Sequence, residues 1–308
     1  MNDAAPVGRT RAARPAKGGA TKPAPVGKDK RAARADFSTT FWGVRGSIPV
    51  PGPETLRYGG NTPCVEVRCG GHLLIFDAGT GIRPLGDRLE TLSPPLHFDI
   101  FLSHTHTDHI NGLPFFAPAF RAQNTLRIWA GHLLPEHTIK QVLDTMMSDP
   151  LFPIPVDAFA ADLAFIDFHP RETLNPHRGV TLRTAPLNHP NRATAYRVDF
   201  DGRSVCYVTD TEHFDDRLDH NIVELIRGAD IAIYDAMFTN EEYQTRRGWG
   251  HSTWEEGLRL ADAAEVKTLI LFHHAPSRTD DELDRLAEAV DRLRPGTMFA
   301  REGMILRP

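Results

Sequence analysis

Between positions 104 and 109 the chain reads His-Thr-His-Thr-Asp-His, three imidazoles and a carboxylate within six residues. Such groups gain little from packing, because they resist burial unless something pairs with them. A neutral imidazole nitrogen is the usual ligand of zinc, and a carboxylate oxygen is the next donor on offer. Strand-like alternation would turn His104 and His106 one way. Asp108 and His109, at the turn that follows, could then face a second ion. The chain holds 15 histidines in 308 residues. Seven of them (His72, His97, His132, His137, His169, His177 and His220) show no ligand spacing and are read as structural or surface groups.

The elements that must position this cluster share one form, an apolar run ending on a polar residue. Residues 73–76 (LLIF) end at Asp77, 98–102 at Ser103 and the cluster, and 205–208 at Thr209-Asp210. Residues 231–234 end at Asp235, and 266–272 end at His273-His274. Residues 62–69 alternate like a half-buried strand and stop at Gly70-Gly71. Ser252-Thr253-Trp254-Glu255 fits a capping box for a helix running to about Ala264. A second helix is predicted over 280–294, with Leu283, Leu286, Val290 and Leu293 at helical spacing and Pro295-Gly296 as its stop. Strands come first and then strands mixed with helices, which predicts an α/β layered fold. Strand ends are where such scaffolds display catalytic groups.

Composition narrows the class. Hydrophobic residues make up 41% and charged residues 24%, values of an ordinary globular chain, and no apolar run is long enough to span a bilayer. Three cysteines exclude a disulfide scaffold; Cys64 and Cys69 would sit on opposite faces of one strand. Sparse thiols indicate a reducing compartment, read as the cytoplasm. Residues 1–36 carry nine Lys/Arg and three Asp, a charge of +6, leaving −11 for the remainder. That segment is almost wholly Ala, Pro, Gly, Lys and Arg, so it is expected to be a disordered basic tail without a secretory signal. From residue 37 the chain reads as one folded unit.

The cluster and its neighbours resemble a known family. His104-Thr-His106-Thr-Asp108-His109 looks like the HxHxDH signature of the metallo-β-lactamase superfamily, and the following Ile110-Asn111-Gly112-Leu113-Pro114 resembles the run found in tRNase Z-like phosphodiesterases. Phe76-Asp77-Ala78-Gly79-Thr80-Gly81 is similar to the FDxGxG element, and Ala185-Pro186-Leu187-Asn188-His189 to the lone-histidine motif. Tyr207-Val208-Thr209-Asp210-Thr211 resembles the bridging-aspartate motif, Tyr234-Asp235-Ala236-Met237-Phe238 the HEATF motif, and His251-Ser252-Thr253 the HST motif. His273-His274-Ala275-Pro276 resembles the last strand-end histidine. The resemblance covers about Phe41 to Arg278.

It implies an αββα sandwich over 37–308 with a dinuclear site at one edge, holding two divalent ions, zinc first and manganese second. His104, His106 and His189 would form one site, Asp108, His109 and His273 the other, and Asp210 would bridge them. The spacing to Pro276 favours His273 over His274 as the ligand, with His274 left to support a ligand or touch substrate. Two such ions can acidify a shared water and clamp an in-line displacement at phosphorus. Asp235 and His251 resemble the pair that protonates the leaving alkoxide. Asp108 and Asp210 complete the catalytic set.

Three departures bear on the substrate. Tyr234 and Asp235 replace the His and Glu of HEATF. Only 21 positions separate His189 from Asp210, too few for the tRNA-gripping arm of bacterial tRNase Z. Gly43-Val44-Arg45-Gly46-Ser47 and Tyr58-Gly59-Gly60-Asn61-Thr62 look like elements of cyclic phosphodiesterases, including the phosphoribosyl 1,2-cyclic group. The resemblance therefore implies a phosphodiesterase for a small or cyclic phosphate ester, with tRNA an unexpected partner for an acidic body. Arg45 and Arg278 are candidate phosphate contacts, and His213 could reach the site from its loop. A homodimer is compatible with the chain. The alternatives are a thioester hydrolase of the glyoxalase II kind and a non-catalytic metal-binding accessory protein, which Tyr234 keeps open.

Overall fold

A computed structural model describes residues 36–308. The basic segment assigned to a tail lies, apart from Asp36, outside the described residues. Along the chain come β1 (Phe37–Gly43), β2 (Cys64–Cys69), β3 (His72–Phe76), α1 (Ile82–Leu89), β4 (His97–Leu102), α2 (Thr107–Ile110), β5 (Thr125–Ala130), α3 (Ile139–Met146) and β6 (Asp162–Asp167). The second half adds β7 (Thr173–His177), β8 (Val180–Leu187), β9 (Ala193–Phe200), β10 (Arg203–Val208), α4 (His220–Ile226) and β11 (Ile231–Asp235). It closes with α5 (Asn240–Tyr243), α6 (Trp254–Ala263), β12 (Thr268–Phe272), α7 (Asp280–Leu293), β13 (Met298–Phe299) and β14 (Ile305–Leu306).

These strands form two seven-stranded sheets, ordered β14-β1-β2-β3-β4-β5-β6 and β13-β12-β11-β10-β9-β8-β7. In the first, β3 to β6 run parallel; in the second, β10 to β13 do. The β11 sequence shows why the layers stack. Ile231 and Ile233 face the other sheet, in one core layer with its Phe76 and Phe101, whereas Ala232 and Tyr234 face a helical layer that includes Ile222, Leu260 and Leu283. A strand covered on both sides reads as continuous apolar sequence, as Ile-Ala-Ile-Tyr does. The outer face of the first sheet is covered likewise, with Ile75, Ile100 and Ile128 against Ile82 and Leu85 of α1 and Ile139 and Leu143 of α3. The result is the αββα sandwich that the resemblance implies.

Cys64 and Cys69 fall into different core layers, and Cys64, Cys69 and Cys206 are all free and buried. No described helix is long and apolar enough to cross a membrane. The predicted capping box at α6 reduces to a simple N-cap one residue later: Thr253, not Ser252, accepts from the Glu256 amide, while the Glu256 carboxylate turns to Arg259 instead of the Thr253 amide. The helix α1 (IRPLGDRL) was hidden by two breakers. Pro84 falls in its first turn, where no amide proton is needed. Gly86 lies where a Cβ would stand 3.2 Å from Phe116.

Candidate metal centre at the strand ends

Six strands deliver side chains to one edge of the sandwich. Asp77 follows β3, His104 follows β4, His189 follows β8, Asp210 follows β10 and His273 follows β12, while Asp235 closes β11. Asp77, Asp210 and His273 adopt φ of 60°, 56° and 63°, so the chain swings sharply off each strand there. Left-handed backbone is uncommon outside glycine and gathers at functional sites.

The donors form two groups that share one carboxylate. Ligating atoms of His104, His106 and His189 lie within 4.8 Å of one another, as do those of Asp108, His109 and His273. Asp210 stands between the groups. Its Oδ1 lies 3.9 Å from Nε2 of both His104 and His189, and its Oδ2 lies 3.2 Å from His109 Nε2 and 3.3 Å from His273 Nε2. Asp108 Oδ2 lies 3.3 Å from His109 Nε2 and 3.4 Å from His273 Nε2.

Other groups fix which ring nitrogen faces inward. His109 donates from Nδ1 to Asp77 Oδ2 at 2.7 Å. His104 Nδ1 lies 3.0 Å from Ser103 Oγ, which donates to the same Asp77 oxygen at 2.8 Å. His189 Nδ1 donates to the Gly250 carbonyl at 2.7 Å. Each ring thus turns Nε2 toward the centre, the arrangement that ligating histidines require. Asp108 is held from outside by the Ser47 amide at 2.8 Å. Gly46 makes that approach feasible, since a Cβ there would stand 2.6 Å from the His273 ring. In the sequence Asp77 and Ser47 belong to motifs and Ser103 ends a strand, but none of them shows an orienting role, and Gly250 gives no signal. Asp77 left a trace, an aspartate directly after a buried apolar run.

Cations fit this donor set on two counts. The Nε2 atoms of His104, His109 and His273 are buried without a hydrogen-bond partner, an expensive condition unless something coordinates them. Among the described residues, the ion-pair partners of Asp77, Asp108, Asp210 and Asp235 are all histidines, with no Lys or Arg. Burial holds His104 well below the usual imidazole range. Burial opposes charge on Asp210, yet His273 and His109 keep it well below the usual carboxylate range. Buried, mutually repelling imidazoles beside buried carboxylates form a cage short of positive charge.

His251 lies at the same edge. Its Nδ1 is 3.0 Å from Asp235 Oδ2, and its ring stacks 5.0 Å from that of His273. Burial disfavours its charge, but the Asp235 carboxylate outweighs that and pushes the ring up to about 9. Tyr234 faces the helical layer instead, where its hydroxyl donates to Ser252 Oγ at 2.8 Å. The Tyr substitution therefore leaves the Asp235–His251 contact untouched. His213 reaches Ser252 Oγ at 2.9 Å and ends there.

The three expected substrate contacts are all engaged within the fold. Arg45 is fully buried, with Nε donating to the Gly59 carbonyl at 2.7 Å and Nη1 to the Arg278 carbonyl at 2.6 Å, so it ties loops together. Arg278 pairs with Glu242 at 2.5 Å and is mostly buried. His274 turns away from the cluster: its Nε2 donates to the Ala300 carbonyl at 2.8 Å, and burial pushes it down to about 3. His273, not His274, stands among the donors.

The chain has relatives and neighbours of known structure. A protein named Ribonuclease Z from Treponema pallidum is 24% identical over 319 residues, spanning 86% of this chain and 95% of that protein. The metallo-β-lactamase fold protein YhfI from Bacillus subtilis superposes with a TM-score of 0.66 at 21% identity, covering 88% of this chain and 99% of that one. A diphosphatase from the PhnP family gives 0.64 at 20% identity, covering 89% and 98%. The family described as Beta-lactamase superfamily domain matches residues 72–274, from the strand that leads to Asp77 through the strand end that presents His273. With that match spanning most of the described residues and both sheets, the chain belongs to the β-lactamase superfamily.

Proposed function

We propose that this protein is a metal-dependent hydrolase of phosphodiester bonds. One observation carries the reading: Asp210 divides its two oxygens between a three-histidine group and an Asp-His-His group. His104, His106 and His189 would hold one divalent ion, Asp108, His109 and His273 a second, and Asp210 both. When bound, such ions, zinc or manganese, supply Lewis acidity at the phosphoryl oxygens and acidify the attacking water. The chain's own residues do the rest. Asp77 and Gly250 hold the imidazoles in the ligating tautomer. Asp235 fixes the His251 ring and favours its protonated form, so the ring can give a proton to the departing oxygen.

The relatives named Ribonuclease Z weigh against the expectation that tRNA is no partner, and RNA joins the substrates to be tested. A small or cyclic ester is favoured by the connections around the site. The β8–β9 link is only residues 188–192, and β9 turns into β10 at Asp201-Gly202, with φ of 50° and 70°. That is a tight hairpin with no protruding arm.

The test is a metal-reconstituted assay on bis-p-nitrophenyl phosphate, a cyclic nucleotide, precursor tRNA and a thioester. Diester hydrolysis that a chelator abolishes and Asp210→Ala lowers at least a hundredfold is expected. His251→Ala should slow poor leaving groups far more than p-nitrophenolate, which hardly needs a proton. Turnover of the thioester alone, or of nothing, overturns the proposal.

A further inference from the structure

Trp249 is 62% exposed. Isolated exposed apolar residues are common on surfaces and need no explanation of themselves. What sets this one apart is how its loop is held. Gly248 and Gly250 flank it, both at φ 83°. The Glu212 carboxylate accepts from both flanking amides, from Gly248 at 2.8 Å and Gly250 at 2.8 Å, and from the Tyr243 hydroxyl at 3.2 Å. Glu212 is itself tied to the strand end that carries His189: its amide donates to the Asn188 carbonyl at 2.7 Å, and Asn188 Nδ2 returns to the Glu212 carbonyl at 2.8 Å. The indole is thus presented on an ordered loop.

The loop also lies against the centre. The Gly250 carbonyl accepts the hydrogen bond that His189 Nδ1 donates, and a Cβ at Gly250 would stand 2.4 Å from that nitrogen. The Trp249 Cα is one peptide, about 3.8 Å, from the Gly250 Cα, and His251 is two residues on. The neighbouring cations are engaged elsewhere. Arg246 lies over the Phe238 ring at 5.3 Å, and Arg247 lies over the Tyr243 ring at 5.0 Å and pairs with Asp215. The loop tip therefore offers a neutral π-face rather than a phosphate clamp.

We infer that Trp249 is a specificity-determining platform, on which the planar base of a nucleotide-type phosphodiester stacks while its phosphate meets the centre. This rests on the phosphodiesterase reading for the reaction, but not for the binding. Stacking on an aromatic side chain suits any base, since every base has a π-face, and ordering the indole beforehand reduces the entropy lost on binding.

Two measurements on the full chain test it. The first follows indole fluorescence during titration with adenosine 5′-monophosphate, uridine 5′-monophosphate and ribose 5-phosphate. Saturable quenching by both nucleotides but not by ribose 5-phosphate is expected, with the change lost in Trp249→Ala. The second compares kcat/KM for thymidine 5′-p-nitrophenyl phosphate with that for methyl p-nitrophenyl phosphate. Trp249→Ala should lower the ratio about tenfold, mainly through KM, and Trp249→Phe should restore most of it. Quenching that does not depend on the base, or a ratio unmoved by Trp249→Ala, overturns the inference while leaving the hydrolase reading in place. Base-dependent quenching in a protein that cleaves neither ester upholds the platform and sinks the phosphodiesterase.

Discussion

Asp77 offers a severe test of the centre, because it touches no proposed substrate and yet sets the state of two proposed ligands. Its carboxylate accepts four hydrogen bonds, from the Ser103 amide at 2.7 Å, the Ser103 hydroxyl at 2.8 Å, His109 Nδ1 at 2.7 Å and the Tyr207 hydroxyl at 2.7 Å. Asp77→Asn keeps the shape and turns one oxygen into an NH2 donor. With that NH2 toward the Ser103 amide, two donors face each other in a buried place, at a cost of about 1–3 kcal/mol. With it toward His109, the serine and tyrosine hydroxyls can rotate, but the imidazole can only move its proton to Nε2. That is the atom 3.2 Å from Asp210 and 3.3 Å from Asp108, and protonation there blocks ligation. Changes to groups that orient metal-ligating histidines typically cost 10–100-fold in affinity, or about 1.4–2.8 kcal/mol. Calorimetric titration of metal-free Asp77→Asn with zinc and with manganese should show that weakening, with far-ultraviolet circular dichroism unchanged. An affinity within twofold of the natural protein, in a folded variant, would refute the tautomer argument.

Other perturbations separate roles that the sequence left together. Gly250→Ala combines a φ of 83° with a Cβ 2.4 Å from His189 Nδ1; a stability loss of about 1–3 kcal/mol and weaker metal binding are expected by melting and titration. Arg45→Lys removes the buried fork that holds Gly59 and Arg278, so the denaturant midpoint should fall by an amount equivalent to about 2–4 kcal/mol while KM for the ester stays put. A raised KM without lost stability would return Arg45 to the substrate. Burial, reinforced by Arg192, pushes His132 down to about 3. Its folded value lies below the ordinary value of about 6.5, so its stabilisation is full above that pH and lost as pH falls toward 3. Between pH 7 and pH 5 the metal-free protein should lose roughly 1–2 kcal/mol through this group. His132→Gln should remove that slope, and equal slopes in denaturant titrations of the two proteins would count against it.

Legibility in the sequence followed locality. The His104–His109 cluster declares itself because its members are neighbours on one turn and on α2. His189, Asp210 and His273 are solitary residues that the sheet assembles from β8, β10 and β12, so their link to the cluster came from motif order alone. Arg45 shows the limit of residue type: a guanidinium bound to carbonyls looks, in sequence, like one free to bind phosphate. Its burial depends on residues about 230 positions away, Ala275 and Arg278. The helix α1 was obscured by Pro84 and Gly86. β7, which holds Pro176, was obscured as an edge strand, where a missing ladder donor is tolerated.

The orienting groups were hidden for a different reason. A ligand must be a histidine or a carboxylate, so its residue type advertises it. An orienting acceptor needs only an oxygen in the right place, and at His189 that oxygen is the main chain of Gly250. No residue type encodes a carbonyl; the sequence can register only the glycine that lets the backbone come so close. Gly46 against His273 follows the same logic. At the other strand ends the left-handed turns at Asp77, Asp210 and His273 do the aiming, each a conformation costing about 1–3 kcal/mol that the surrounding structure must enforce. The three packed layers beneath supply that enforcement, since β3, β10 and β12 are all interior strands of their sheets. Rigid strands thus hold strained ends, the strained ends aim the donors, and close-approaching glycines fix the rings. The chemistry is written in histidines and aspartates, and its precision in residues whose side chains are small or absent.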